Sequence, residues 1–271
     1  MRVLKYPAVV AAIAAMLYST LLAARRESPA AAGQPGPTLD AAQVLAAARE
    51  ALGGEKRLSA VKTFTATGRT RQVRGNNLVP IEFEINCALP DRFVRTDEFP
   101  AQDADPTTQG FNGDNLIQLP PPSGPGRAGG SPAPGQAQER VATVKQDFVR
   151  LTLGMFATSF PAYPLTFKYI AQGEAPEGKA DILDVAGPIN FSARFVVQRD
   201  THLPVMLMWQ GLAQGKPIEY RMYYGDFRDV DGMKWPFRLR RAIAGETVEE
   251  TTFDRIRINA KIDPRKFEAR Q

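Results

Sequence analysis

The stretch "LVPIEFEINCAL", Leu78 to Leu89, alternates apolar and polar side chains over most of its length. The apolar positions are Ile81, Phe83, Ile85, Cys87 and Leu89, and the polar residues between them are Glu82, Glu84 and Asn86. Because successive side chains of a strand point to opposite faces, this pattern predicts a strand with one buried face and one wet face. Such strands are typical of antiparallel sheets, since strands of parallel sheets are usually buried on both sides.

Similar short segments occur on both sides of this stretch. "KTFTATGRTRQV" predicts the preceding strand, with the turn at Gly75 to Asn77, and "DRFVRTDEF" and "GFNGDNLIQL" predict two later strands, the second bent at Asn112-Gly113-Asp114. The further predicted strands are "LTFKYIAQ", "KADILDVAG", "FSARFVVQR", "VMLMWQG", "PIEYRMYYGDF", "WPFRLRRAI" and "TVEETTFDRIRI". Turn residues separate these segments at the spacing of β-hairpins, so the sequence predicts a long antiparallel meander.

Two helices are expected in addition. "TLDAAQVLAAAREALGG" predicts an N-terminal helix with Thr38 as its N-cap, Asp40 in its first turn and Gly53-Gly54 at its end. A second helix is predicted over about Glu139–Thr158. Its apolar residues recur at intervals of three and four, namely Val141, Val144, Phe148, Leu151 and Met155. Both helices therefore have an apolar face that can cover the sheet.

The chain begins with features of an exported protein. Arg2 and Lys5 precede the apolar run Ala8–Ala24, which predicts a signal peptide over residues 1–24, with candidate cleavage points after Ala24 or after the Ala30–Ala32 run. An uncleaved N-terminal anchor is the alternative. Residues 25–37 form a predicted linker, 38–271 a single domain, and the Pro/Gly-rich residues 120–138 a disordered insertion loop. We expect the domain to lie in the periplasm or to be secreted, as part of a bacterial envelope.

The charge distribution argues against nucleic acid as a partner. The formal charge is +5, but the first 36 residues hold four basic residues and one acidic residue, which leaves 30 basic and 28 acidic residues. In "YGDFRDVDGMKWPFRLRR", Tyr224–Arg241, the predicted turn is "DVDGMK" and Pro236 opens the next strand. Phe237 and Leu239 then face inward, whereas Arg238 and Arg240 face outward. A base-stacking surface needs aromatic and basic side chains on one open face. Here they mostly lie on opposite faces, so the outward arginines are better interpreted as a solvated face.

The residues needed for common enzyme chemistry are scarce. The chain has one histidine, His202, in a predicted turn, and one cysteine, Cys87, in an apolar strand. Neither a nucleophile elbow nor a phosphate-binding loop is present in the sequence. Asp226, Asp229 and Asp231 are closely spaced, but they surround a predicted turn, where aspartate is common. The sequence therefore favours a protein that is not an enzyme and that has no cofactor or metal, with a hydrolase as a distant alternative.

Several phrases resemble the LolA/LppX-like superfamily of outer-membrane lipoprotein-sorting proteins. They are "AREALGGEKRLSAVKTFTATG", "VVQRDTHLPVML", "YGDFRDVDGMKWPFRLRR" and "INAKIDPRKFE", and the resemblance covers about Thr38 to Glu268. It implies a mainly β (α+β) fold, a strongly curved antiparallel half-barrel with an N-terminal helix and an inserted lid helix. The family's lid-locking arginine has only Arg69 and Arg71 as conceivable counterparts.

This resemblance implies a non-enzymatic carrier or sensor that binds lipid or lipoprotein acyl chains in an apolar cavity. The expected ligand-binding residues are Phe83, Ile85, Phe148, Leu151, Met155, Leu207, Trp209, Tyr220, Met222, Phe237 and Leu239, with Phe156, Met206 and Met208 also placed in the interior. The alternative is that these residues form a solid core. The expected partners are lipid or an acylated lipoprotein, with membrane association transient or through the N-terminal segment. A protein–protein interaction module of the cell envelope is the alternative function.

Overall fold

The computed structural model describes residues 40–121, 134–213 and 215–268, which belong to one compact unit. The helices are α1 (Ala41–Ala51), α2 (Glu55–Ala60) and α3 (Pro134–Phe156), followed at the C-terminus by a 3-10 helix, Pro264–Phe267. The strands are β1 (Thr63–Arg74), β2 (Asn77–Ala88), β3 (Arg92–Glu98), β4 (Thr107–Asn112), β5 (Asn115–Leu119), β6 (Thr166–Ala175), β7 (Gly178–Gly187), β8 (Phe191–Gln198), β9 (Pro204–Ala213), β10 (Lys216–Val230), β11 (Met233–Ile243) and β12 (Glu246–Ile258). The predicted signal or anchor segment 1–24, the linker 25–37, Thr38 and residues 122–133 of the predicted insertion loop lie outside the described residues.

The strands form one 12-stranded sheet in the order β5-β4-β3-β2-β1-β12-β11-β10-β9-β8-β7-β6. All neighbouring pairs are antiparallel, and the first strand pairs with the last. Helix α3 connects the two edge strands, β5 and β6, which are not paired with each other in the described part of the chain. The predicted fold class, an open antiparallel half-barrel with an N-terminal helix and an inserted helix, is confirmed.

The contacts of α3 show how strongly the sheet curves. Phe148 packs on Phe111 of β4, with ring centroids 5.4 Å apart, and the Arg150 guanidinium lies 4.6 Å from the Trp209 ring of β9. These two helix residues are separated by about 3 Å along the axis. Strands β4 and β9 are seven positions apart in the sheet, which would be about 34 Å in a flat sheet. The sheet therefore wraps around the helix.

Strand β2 has the two faces that its sequence predicts. Ile81, Phe83, Ile85 and Cys87 are buried and Glu82 is exposed. Asn86 is the exception, because it is buried although it lies on the outer face. It pairs in register with Val94, which packs with Phe267 of the C-terminal 3-10 helix. The C-terminal segment thus covers part of the outer face that the sequence pattern alone marks as wet.

Several predicted boundaries are wrong. "GFNGDNLIQL" forms not one bent strand but a hairpin, because Gly113 has a positive φ of 59° and allows a tight turn between β4 and β5. Helix α1 begins after Asp40, whose side chain caps it, and α3 begins at Pro134, before the expected Glu139.

The predicted turn "DVDGMK" is mostly strand. Strand β10 extends to Val230 and β11 starts at Met233, so that Pro236 lies inside β11 and does not open it. The proline is tolerated there because β11 pairs with β12 only from Arg238 onward, which leaves one side of the strand without a ladder partner at Pro236.

The two ends of the half-barrel differ. Helix α1 closes one end, where Leu52 is buried in the core and its carbonyl accepts a hydrogen bond of 2.8 Å from the Lys234 amide. The opposite end, here called the distal rim, carries the β1–β2, β3–β4, β7–β8, β9–β10 and β11–β12 connections, as the antiparallel order requires. Helix α1 thus covers one end of the half-barrel, whereas connections between strands form the other.

Candidate functional site

The interior near α1 is a solid aromatic core. Trp235 of β11 makes edge-on contacts with Phe64 of β1 and Phe156 of α3, with ring centroids 5.3 and 5.2 Å apart. Phe148 of α3 packs edge-on against Phe111 and tilted against Phe93, with ring centroids 5.4 and 5.6 Å apart. These rings are almost completely buried, so this half of the interior is filled largely by aromatic side chains.

A cavity of about 590 Å³, here called the central cavity, lies between α3 and the inner face of the sheet. Its apolar lining consists of Ile81, Ile85, Phe93, Phe99, Val144, Leu151, Met222, Leu239 and Phe253. The volume is within the range of about 300–1,000 Å³ that is usual for small-molecule sites. The lining comes from seven strands and one helix, so the cavity depends on the curvature of the sheet.

The lining of the central cavity becomes polar toward the distal rim. Thr70 and Thr251 pair across β1 and β12, with their hydroxyl oxygens 2.8 Å apart. Arg95 of β3 reaches over β2 and donates from Nη2 to Thr70 Oγ1 at 3.3 Å. Nearer the rim, Arg241 Nη2 donates to Glu249 Oε2 at 2.6 Å. The cavity is therefore amphipathic, with an apolar floor and a hydrogen-bonding mouth.

A second, open cavity of about 860 Å³, here called the side cavity, is lined by residues of α3 and of strands β6–β10, including the outer-face residue Met208. Arg150 of α3 lies in its wall, with its guanidinium 4.6 Å from the Trp209 ring and 5.7 Å from the Phe191 ring. The same guanidinium donates from Nη1 to Asp147 Oδ1 at 2.7 Å, and Asp147 lines the central cavity. Helix α3 thus contributes Arg150 to the side cavity and Asp147 to the central cavity, and these two side chains form an ion pair.

Helix α3 is held in place by contacts along its C-terminal half. The Tyr224 hydroxyl donates to the Arg150 carbonyl at 2.5 Å, and burial raises the pKa of this hydroxyl, which keeps it protonated as a donor. A Cβ added to Gly154 would lie 2.3 Å from the Tyr224 ring, so only glycine allows this approach. At the last turn, Arg49 of α1 donates from Nη1 to the Phe156 carbonyl at 3.0 Å.

The structure distributes the predicted ligand-binding residues over three places. Ile85, Leu151, Met222 and Leu239 line the central cavity, and Trp209 lines the side cavity with Tyr220 stacked on its ring. Phe148, Met155, Leu207, Phe83 and Phe237 are buried in the surrounding core. Four of the predicted residues therefore lie together in the wall of the central cavity, and five of the others are packed in the hydrophobic core.

Other expectations for the interior are wrong. Met206 and Met208 lie on the outer face, because they alternate with the inward-facing Leu207 and Trp209, and they pack in a separate cluster with Val196. Arg69 also lies outside, where its exposed side chain pairs with Asp254 at 3.0 Å. Among the described residues, Arg49 of α1 donates a hydrogen bond to the last carbonyl of α3, at Phe156. The sequence pattern did not indicate Arg49 as the arginine that contacts this helix.

The polar residues of the central cavity were also missed by sequence reasoning. Arg95 and Asp97 occupy the same face of β3 as the buried Phe93, so the two-residue period of this strand could have placed them inside.

The described residues contain no cluster of three or more His, Cys, Asp and Glu side chains that could hold a metal ion. Asp226 pairs instead with Arg228, whose hydrogen bond lowers the pKa of this carboxyl. None of the helices in the described ranges has the length and apolar content needed to span a membrane.

Comparison with known proteins gives matches at the level of structure. No family model and no curated protein matches the sequence. A LolA superfamily protein from Nitrosomonas europaea is similar with a TM-score of 0.55 and 13% identity, over 85% of this chain and 99% of that one. A DUF1329 family protein from Desulfovibrio piger is similar with a TM-score of 0.52 and 11% identity, over 85% of this chain and 98% of that one. The likeness extends over nearly the whole length of both structures, and the chain has the LolA/LppX-like half-barrel fold.

Proposed function

We propose that this protein is a non-enzymatic carrier or sensor of the bacterial envelope that holds acyl chains of a lipid or lipoprotein in the central cavity. The observation that carries the proposal is the apolar floor of this cavity, which lies under a helix and inside an unclosed sheet. Leu151 and Ile85 supply that floor from the helix and from β2. A location in the periplasm or outside the cell, with transient membrane contact or an N-terminal anchor, belongs to the same proposal.

The energetics favour an elongated apolar ligand. Burial of an acyl chain contributes about 0.8 kcal/mol per methylene, so that a chain held along the floor supplies much of the affinity. Met222 adapts its shape to such a chain because its side chain is unbranched and flexible. In the described residues, polar contacts join helix α3 to β10, α1 and the β4–β5 turn at Tyr224, Arg49 and Lys145. A movement of this helix that opens the cavity must in addition break the apolar contacts of Phe148 and Phe156 with the sheet.

The first test is to fill the central cavity. Leu151→Trp places an indole against Met222 and Leu239 and removes space from the floor, so we expect the lipid that co-purifies with the wild type to be lost. Protein isolated from the envelope is compared by native mass spectrometry and by lipid extraction. Leu212→Trp is the matched control, because Leu212 is 72% exposed on the β9–β10 hairpin. Wild-type protein without any bound lipid, or equal lipid in both variants, would contradict the carrier proposal.

A second candidate function is an interaction module that binds another envelope protein. The supporting observation is that Val73, Leu78, Ile189 and Leu212 are large apolar residues, all exposed, and all at turns of the distal rim. If this rim is the interface, the double change Ile189→Ser and Leu212→Ser abolishes capture of the partner from envelope extracts and leaves the bound lipid unchanged. Deletion of residues 122–133 tests in the same assay whether the insertion contributes. Capture that is unaffected by both changes would argue against this candidate.

A further inference from the structure

Arginine is prominent among the charged residues of the central cavity. Arg74, Arg95 and Arg241 line it together with the carboxylates Asp97, Asp147 and Glu249. Arg95 pairs with Asp97 and Arg241 with Glu249, whereas Asp147 pairs with Arg150 and Arg74 is exposed. Arg95 and Arg241 are therefore the two guanidinium groups held inside the lining.

The hydrogen-bonding capacity of these two arginines exceeds what their named partners use. A guanidinium has five N–H donors and no acceptor. Arg95 uses Nε for Asp97 and Nη2 for Thr70, and Arg241 uses Nη2 for Glu249. Arg241 Nε is buried, so the donors that a ligand in the cavity can reach are the remaining terminal N–H groups of the two side chains.

Both arginines lie beside apolar residues of the lining. In the register of the sheet, Arg95 pairs with Ile85, and its side chain extends toward the distal rim as far as Thr70. On the way its guanidinium covers the Phe83 ring at 4.7 Å. Arg241 pairs with Met222 and Glu249, nearer the distal rim. A ligand with its tail against the apolar lining near Ile85 would present its polar end to Arg95 and Arg241.

We infer that the central cavity selects amphiphiles with an oxyanion headgroup, a carboxylate or a phosphate, and that Arg95 and Arg241 bind this group. The inference rests on the proposed function, because it assigns the headgroup of the ligand whose tail occupies the floor. Arginine suits this role because its planar fork matches both carboxylate and phosphate oxygens.

The test compares ligands that share one tail. Binding of hexadecanoate, hexadecyl phosphate and hexadecan-1-ol to the purified full chain is measured by displacement of a fluorescent probe. We expect at least one of the two anions to bind more tightly than the alcohol by a factor on the order of ten. The preferred anion distinguishes a carboxylate from a phosphate headgroup. Equal binding of all three overturns the headgroup inference but leaves the carrier proposal standing, whereas binding of none of them overturns both.

Variants locate the headgroup site. Arg95→Gln and Arg241→Gln are each expected to reduce the ratio of anion binding to alcohol binding several-fold. The matched control is Arg238→Gln on the outer face of β11, where Arg238 pairs with Glu250 of the neighbouring strand at 2.9 Å. Circular dichroism establishes that each variant is folded. If a variant does not fold, the comparison of the three ligands on the wild type still decides the question. An anion preference that survives both inner changes would refute the assignment of these arginines.

Discussion

Replacement of Trp235 by alanine is expected to lower the free energy of unfolding by about 3–5 kcal/mol. The side chain is completely buried and touches Phe64 of β1 and Phe156 of α3. Its loss therefore opens a cavity at the point where the two halves of the sheet and the inserted helix meet. Denaturant titration followed by circular dichroism measures the change, with the midpoint and the slope fitted separately.

Two further substitutions make this expectation specific. Trp209→Ala removes the same side chain from a partly buried position in the side-cavity wall, and we expect a clearly smaller loss of stability. Trp235→Phe keeps most of the volume and removes an indole N–H that has no acceptor among the described residues, so it is expected to cost much less than alanine. Equal losses for Trp235→Ala and Trp209→Ala would mean that the aromatic core collapses around the missing ring.

The sequence pattern predicted the sheet well because strands such as β1 and β2 have one buried face and one wet face. In β2 this period of two is set by residues such as Phe83 and Glu82, and the structure follows it. Turn positions were harder to predict. The Asn112–Asn115 hairpin closes with a glycine at positive φ between two short strands, and so short a turn leaves little trace in a hydrophobicity pattern.

The candidate site was predictable only in part, since alternation defines the face of a residue and not its depth. Leu207 and Leu239 both point inward, but Leu207 is packed on all sides whereas Leu239 lines the central cavity. The difference depends on where α3 crosses the sheet, and this position is determined by contacts distant in sequence, such as that of Tyr224 with the Arg150 carbonyl. The inward position of Arg95 could have been predicted from alternation, but its role at the mouth could not.

Replacement of Phe148 by alanine is expected to have a comparable effect on stability, about 3–5 kcal/mol, and a second effect that is confined to α3. Phe148 is completely buried, and its ring centroid lies 5.6 Å from that of Phe93, 5.4 Å from Phe111 and 5.8 Å from Phe160. This ring is the main apolar contact between the helix and strands β3 and β4. Without it, we expect the amides of α3 to exchange hydrogen through local opening, measured by mass spectrometry under native conditions.

Phe253→Ala separates the local effect from the global one. Phe253 is also buried, but it packs edge-on against Phe83 within the sheet, with ring centroids 5.4 Å apart. A similar loss of stability is expected there, while the amides of α3 remain protected relative to those of Phe148→Ala. If both variants show the same exchange in α3, the helix opens only when the whole domain unfolds. In that case α3 is a fixed part of the core, and a ligand would have to enter the central cavity directly from the distal rim.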